Sequence, residues 1–477
     1  MIRLTLLSLF ISFLAIYAWK DWYKSLCGLI VLMAVIEHPD MPKTIFGIQG
    51  LNPWNIGFVC VLLAWAATRG REKLNWDMTK WMRVLFLLYL AVIVVAFVRM
   101  MADRTELEGL TTGYLISEYL INCIKWPLVG IMLFDGCRDR SRFMWGVASV
   151  LLLYLILAIQ VIRWMPLAAG MSGMDLTERS LKILKNEIGY HRVNLSMMLG
   201  GASWAIFAAR PLANGNLQRF LILAVFFAVI FGQALTGGRA GYVTWVAIGF
   251  TMCFVKWRKY LLLIPVVALL IAFILPSAIE RFMQGFYPET RDVNVRFSQD
   301  IDTGDKTIDK YKILAGRNVA WPYVVEKIGD SWLIGYGGLA MRRTGIYKYL
   351  WERYEEIFAH PHNAYLEILL DNGITGFLPI LFFYGLTVRY AFSLFRDSRS
   401  PVYEAAGGVA LALVLALLFA SMGSQTFYPR EGSVGMWCAI GLMLRIYIER
   451  ARVLACTAPG GSIRDTGARS WVDPAPA

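Results

Sequence analysis

The chain has 477 residues, of which 57% are hydrophobic and only 17% charged. A chain this apolar cannot be water-soluble throughout. The formal net charge of +13 raises nucleic acid as a partner, but the basic residues gather in short loops between apolar blocks, as the positive-inside rule expects of a membrane protein. No nucleic-acid partner is therefore expected.

The first apolar block, "LLSLFISFLAIYAW", lacks a small-residue cleavage site after it, so it reads as a membrane segment and not as a removed signal peptide. Further blocks follow along the chain. The expected spans lie near 4–19, 23–38, 54–69, 81–100, 114–136, 143–163, 193–209, 218–235, 240–255, 260–276, 374–394, 404–422 and 433–449. This is the pattern of an all-α polytopic membrane protein. All thirteen segments crossing would put the N-terminus outside. If one of the first two crosses incompletely, both ends lie inside, and about twelve spans (range 11–13) is the favoured reading.

The basic flanks Arg69–Lys73, Cys137–Arg142, Lys256–Tyr260, Arg396–Ser400 and Arg445–Arg452 then face the cytoplasm. The expected organisation is an N-terminal helix bundle (1–276), one large external loop (277–361), C-terminal membrane helices (362–452) and a Gly/Pro/Ala-rich disordered tail (453–477). Two stretches of the loop, "YKILAGRNVAWPYVVEKIG" and "YKYLWERYEEIFA", mix Trp and Tyr with charges, as helices lying on the headgroup plane do. The seven cysteines are scattered through apolar blocks and basic flanks, with no CxxC and no disulfide framework.

Arginines on the outward side run against positive-inside sorting, although long loops escape that rule. Some can pair with acids of the same loop. An external anionic ligand is the functional reading, because guanidinium forks match phosphate oxygens. Arg239 follows the Gly-rich turn of "LTGGRAGYVTWV", where glycines permit a tight reversal and free backbone N–H groups. The plain alternative is an arginine snorkelling to headgroups. His191 and Arg192 open the next candidate, "GYHRVNLSMMLG", and could be interfacial anchors. Arg317 lies early in an amphipathic stretch, where a surface helix charge is the ordinary explanation. Lys125, mid-span in "INCIKWPLVG", is a functional candidate by depth alone, or a lysine paired near the kink at Pro127.

The sharpest signal is "HPHNAYLEILLDNG", residues 360–373. Pro361 suits the first position of a helix, which would place His362 and Asn363 in its first turn. There His362 would share a face with Tyr365, Leu366 and Leu369. A helix N-terminus disfavours imidazolium, so His362 would stay neutral and able to accept a proton. His360, preceding a proline, would be held extended and point elsewhere. No Cys and no obvious acidic third ligand accompanies the histidines, so no metal site and no cofactor are expected. The alternative is a histidine that only caps the helix.

Taken together, these strings resemble the O-antigen ligase and polymerase superfamily of bacterial envelopes. The resemblance is carried by His360–Gly373, by the Thr-Gly-Gly-Arg-Ala-Gly string ending at Gly241, by Gly316–Trp321 with the Gly-Tyr-Gly at 335–337, and by the single long loop before the histidines. It spans roughly residues 190–425. It implies an inverting, metal-independent glycosyltransferase of the multi-span (GT-C-like) class. Such a ligase moves polysaccharide from undecaprenyl diphosphate onto lipid A–core oligosaccharide at the periplasmic face of the inner membrane. It further implies that His362 is the general base and that Arg239 and Arg317 hold the diphosphate. Arg192, His191, Asn363, Lys125 and His360 complete the substrate-binding candidates, and a monomer is expected. Polymerases and protein O-oligosaccharyltransferases share the architecture and stay open as alternatives. A transporter with an arginine gate predicts broken helices in matching halves, and no such repeat is seen.

Overall fold

The computed structural model describes residues 2–45, 47–165, 179–274, 276, 317–354, 358–423 and 425–457. Among these the chain is almost wholly helical. The elements in order are α1 (Ile2–Tyr17), α2 (Trp22–Ile36), a two-residue hairpin pair β1 (Thr44–Ile45) and β2 (Ile48–Gln49), α3 (Pro53–Thr68), α4 (Lys80–Ala102), α5 (Thr112–Gly136), α6 (Arg140–Trp164), α7 (Arg192–Ala208), α8 (Asn216–Leu235), α9 (Arg239–Val255) and α10 (Leu263–Ile274). Three short helices follow: α11 (Arg317–Asp330), α12 (Ala340–Arg343) and α13 (Ile346–Tyr354). The chain closes with α14 (Ala364–Phe395), α15 (Pro401–Ala420) and α16 (Val434–Thr457).

Each expected span coincides with a helix. Six of them, α4, α5, α6, α8, α14 and α15, are long and apolar enough to cross a membrane, while α1, α2, α3 and α9 are apolar but shorter. The last helix runs through Thr457, past the expected boundary at 452, and the rest of the tail lies outside the described residues. The first part of the expected loop, 277–316, and residues 355–357 also lie outside them.

At the centre, α7 packs between α8, α9 and α15, and α15 in turn packs on α14 and α16. Small residues permit these approaches. Gly201 of α7 meets Ala416 of α15, and Gly407 of α15 lies against the backbone of Ala391 and Phe395 in α14. The basic flanks gather at one end of the bundle. Asp77 holds Arg445 at 2.7 Å, Arg69 and Arg138 meet the buried Asp135, and Arg142 meets Glu72. Arg450 reaches Asp397 at 2.6 Å, and Lys256 reaches Glu404 at 2.7 Å.

Helix α14 is broken at Gly373, which has φ +58° and ψ −164°, a conformation essentially confined to glycine. The loop at 332–338 supplies partners across the break. Tyr336 N donates to Leu370 O and Gly337 N to Asp371 O, while Ile374 N donates to Trp332 O and Thr375 N to Leu333 O. Irregular backbone near a membrane persists only where protein satisfies it in this way. A Cβ on Gly335 would come within 2.6 Å of the backbone of 371–373, and one on Gly373 within 2.5 Å of the backbone of 333–334. The carboxylate of Asp371 is buried here, accepting from Ala340 N at 3.1 Å and from the Tyr428 hydroxyl at 2.8 Å.

Candidate functional site

The end of the bundle away from the ion-paired flanks carries the histidines. Five pieces of chain meet there: the lead-in to α14, the start of α7, the turn between α8 and α9, the start of α11, and the connection from α15 to α16.

The lead-in to α14 departs from expectation. The helix begins at Ala364 with Asn363 as its N-cap, so Pro361 is not the first helical residue and His362 is outside the helix. His362 has φ +53°, a left-handed conformation that costs a non-glycine residue about 1–3 kcal/mol and clusters at functional sites. It therefore does not share a helical face with Tyr365, Leu366 and Leu369. Asn363 spends its side-chain oxygen on the cap, accepting from Tyr365 N at 3.0 Å and Leu366 N at 3.3 Å. That role leaves the oxygen to the helix and not to a substrate.

His360 does not point elsewhere. Its Nδ1 accepts from the backbone N–H of His362 at 3.2 Å, and the two rings lie 4.2 Å apart. Both line a cavity of about 400 Å³, together with His191, the N-cap of α7. The ring of Phe358 stands edge-on to His362 at 5.5 Å. Burial, then the positive neighbours His360, Arg317 and His191, bring the His362 imidazole down to about 3. Burial also lowers His360 and His191, with Arg192 adding to the effect at His191. All three rings are thus held toward the neutral form, though by desolvation and not by a helix N-terminus.

The glycine turn works as a close-packing device. Gly237 turns with φ +66°. A Cβ on Gly241 would fall 1.9 Å from Ser196 Oγ of α7, and Ser196 Oγ donates to Gly238 O at 3.2 Å. The start of α9, with Arg239, is thereby pressed against the start of α7, with Arg192. The charge of Arg239 acts on both Arg192 and Arg317. Arg317 donates to Gly423 O, and one turn later Trp321 Nε1 donates to Pro361 O at 2.9 Å. The Gly-Arg-x-x-x-Trp string thus props the histidine segment against the end of α15. Two further bonds fix that contact: Ala364 N to Ser421 O at 2.8 Å, and the Tyr365 hydroxyl to Leu418 O at 2.9 Å.

Lys125 is placed differently. Its Nζ donates to Asn55 Oδ1 at 3.0 Å and lies 3.8 Å over the Trp126 ring. It does not line the cavity.

Among the titratable residues that line the cavity, sequence reasoning missed Glu367, Tyr428, Arg430 and Glu431. Arg430 could have been found, because the expected alternation of spans puts the α15–α16 connection on the outward side. Among the described residues no group of three His, Cys, Asp or Glu side chains could hold a metal ion. The sequence also contains Asp300-Ile301-Asp302, an Asp-x-Asp string that the expectation of no metal site overlooked, and it lies outside the described residues.

A search of curated proteins finds no match to the chain. The O-antigen ligase family model matches residues 223–381, a segment that contains Arg239, Arg317, His360 and His362 and ends within α14. Members of that family are glycosyltransferase-like enzymes of O-antigen processing. The match of residues 223–381 to the O-antigen ligase family model, in a helical chain with helices long and apolar enough to cross a membrane, is consistent with the O-antigen ligase and polymerase superfamily read from its motifs.

Proposed function

We propose that the protein is an O-antigen ligase that transfers an undecaprenyl diphosphate-linked polysaccharide onto lipid A–core oligosaccharide, at the periplasmic face of a bacterial inner membrane. The observation that carries this reading is the convergence of a neutral, strained histidine, His362, with Arg317 and Arg239 where several helices begin.

The chemistry follows from that grouping. His362 takes the proton of an acceptor hydroxyl, which is a poor nucleophile without a base in hydrogen-bond reach. The hydroxyl oxygen forms a bond to the anomeric carbon from the face opposite the diphosphate. The bond from that carbon to the diphosphate oxygen breaks, its electron pair leaves with the phosphate, and the configuration inverts. Guanidinium groups of Arg239 and Arg317, with Arg192 beside them, stabilise the charge that develops on the leaving group. The apolar helix faces next to the site suit the isoprenoid chain. The gathering of basic flanks at the opposite end of the bundle supports a periplasmic site, since such flanks favour the cytoplasm.

Purified protein, given the lipid-linked glycan and lipid A–core, should form the ligated product, and should do so in excess EDTA. Joining of glycan repeats on the carrier, with no transfer to lipid A–core, would replace the ligase reading by the polymerase one. A strict need for Mg²⁺ or Mn²⁺, restored by adding the ion back, would remove the arginine-based mechanism.

A further inference from the structure

The loop that bridges the break in α14 presents three apolar side chains in a row. Trp332, Leu333 and Ile334 are 61, 48 and 53% exposed. On a water-facing surface such a run is a liability unless it has a use. Its backbone is also unlike that of a water-facing loop. The carbonyls of Trp332 and Leu333 accept from Ile374 N at 2.9 Å and Thr375 N at 3.2 Å. The carbonyl of Ile334 accepts from Arg99 Nη1, and that of Gly335 from Arg99 Nη2 at 2.7 Å and Ser331 Oγ at 3.0 Å. Four successive carbonyls therefore have protein donors, while the three apolar side chains beside them stand uncovered. Water would satisfy those carbonyls unaided. Hydrocarbon would not, and irregular backbone at membrane depth persists only where protein supplies the partners.

The same bonds set the depth of the loop. Ile374 and Thr375 open the apolar stretch of α14 expected to span at 374–394, and Arg99 stands near the end of the span expected at 81–100. Thr375 is exposed, and the exposed Leu378 and Phe382 follow it at i+3 and i+7 on one helical face. On α4 the exposed Val95 lies one turn inward from Arg99. At its inner edge the tripeptide thus continues the lipid-facing sides of both helices. At its outer edge Lys327 and Asp330 pair at 3.0 Å and remain accessible, as charges at headgroup level do. Trp332, next to them in the chain, is a residue type enriched at that boundary.

We infer that Trp332, Leu333 and Ile334 form a wedge seated among the phospholipid acyl chains of the leaflet on the histidine side. The lipid is recognised by depth and apolar surface, not by its headgroup. The wedge is bonded to α14 just past Gly373, so the leaflet supports the helix that carries the histidine segment. Neither the transfer reaction nor the sidedness of the site enters this inference.

The test reads depth directly. Full-length protein with its native cysteines replaced receives Leu333→Cys, Ile334→Cys, Val95→Cys or Lys348→Cys, is labelled with a nitroxide, and is reconstituted into vesicles of phosphatidylethanolamine and phosphatidylglycerol. Power-saturation EPR compares collisions with oxygen, which concentrates in hydrocarbon, and with a water-soluble nickel chelate. Labels at Leu333 and Ile334 should show the oxygen-rich, nickel-poor ratio of Val95, severalfold above that of the exposed Lys348 on α13. A ratio like that of Lys348 would put the tripeptide in water and overturn the wedge. Exclusion of both reagents would overturn it too, because protein would then cover the tripeptide: a second copy where spin–spin broadening appears, another part of this chain where it does not. If the cysteine-free background does not fold, Leu333→p-benzoylphenylalanine in the otherwise native chain answers the same question. Irradiation in native membranes should leave a phospholipid adduct on the peptide containing position 333, read by mass spectrometry, and the lack of that adduct would overturn the wedge.

Discussion

The backbone N–H of His362 donates to Nδ1 of His360 across 3.2 Å, with the two imidazoles 4.2 Å apart. With Nδ1 accepting, a neutral His360 carries its hydrogen on Nε2. It can offer a donor, while His362 keeps the role of base. His362→Ala should lower kcat by about 10²–10⁴, the usual share of general-base catalysis, while the protein still folds. His360→Ala should cost less, by loosening its neighbour. Near-wild-type turnover of purified His362→Ala would refute the assignment of the base.

Acid should destabilise the fold through the same residue. Burial, then positive neighbours, puts His362 near 3 in the folded protein, below the value of about 6.5 for a free histidine. Above pH 6.5 both states are neutral and the stability is fully present. As pH falls from 6.5 toward 3, the unfolded chain takes up a proton that the folded chain refuses, and stability is lost. The melting temperature should therefore drop between pH 7 and pH 4, and drop less in His362→Gln. Parallel curves for the two proteins would mean that the imidazole is not held neutral.

Arginine identity should matter at the diphosphate. Arg239→Lys and Arg317→Lys keep the charge and lose the two-pronged fork. A loss of roughly 1.5–3 kcal/mol per charged hydrogen bond corresponds to about a 10- to 150-fold fall in initial rate. Arg342, stacked at 5.0 Å on Tyr347, is the control and should tolerate Lys. If all three variants keep wild-type rates, the anion site is not at these arginines.

The helices were legible because long apolar blocks admit few alternatives, and each expected span meets a helix. The histidine and arginine strings were legible too, by resemblance. The register of the HPHN segment was not. The sequence suggested a proline-led helix start, but Asn363 takes the cap and leaves His362 in a left-handed turn, a choice that depends on Ser421 and Trp321 from distant segments. Glu367 escaped notice because it stands inside the His360–Gly373 string among apolar helix positions, and Arg430 because the outward connection that carries it was not among the strings read for chemistry. Only the packing of α14 against the α15–α16 connection brings them to one cavity.

Sidedness can be read with thiol chemistry. Lys348 is exposed on α13, and Ser398 is exposed at the end with the basic flanks. A cysteine at Lys348 should react with a membrane-impermeant reagent in intact spheroplasts, and one at Ser398 only after permeabilisation. The reverse pattern would put the histidines in the cytoplasm.

The meeting of Gly335 and Gly373 limits how this protein can change over evolutionary time. Most tight contacts in a core are between side chains, so an enlarged residue on one side can be accommodated by a smaller one on the other. Here the obstacle to a side chain at either glycine is main chain, and a peptide group cannot be made smaller. No second-site substitution can restore the fit. The loop and the helix that carries the histidine segment must be inherited together, and a transplanted loop from a distant relative would have to bring its own helix with it.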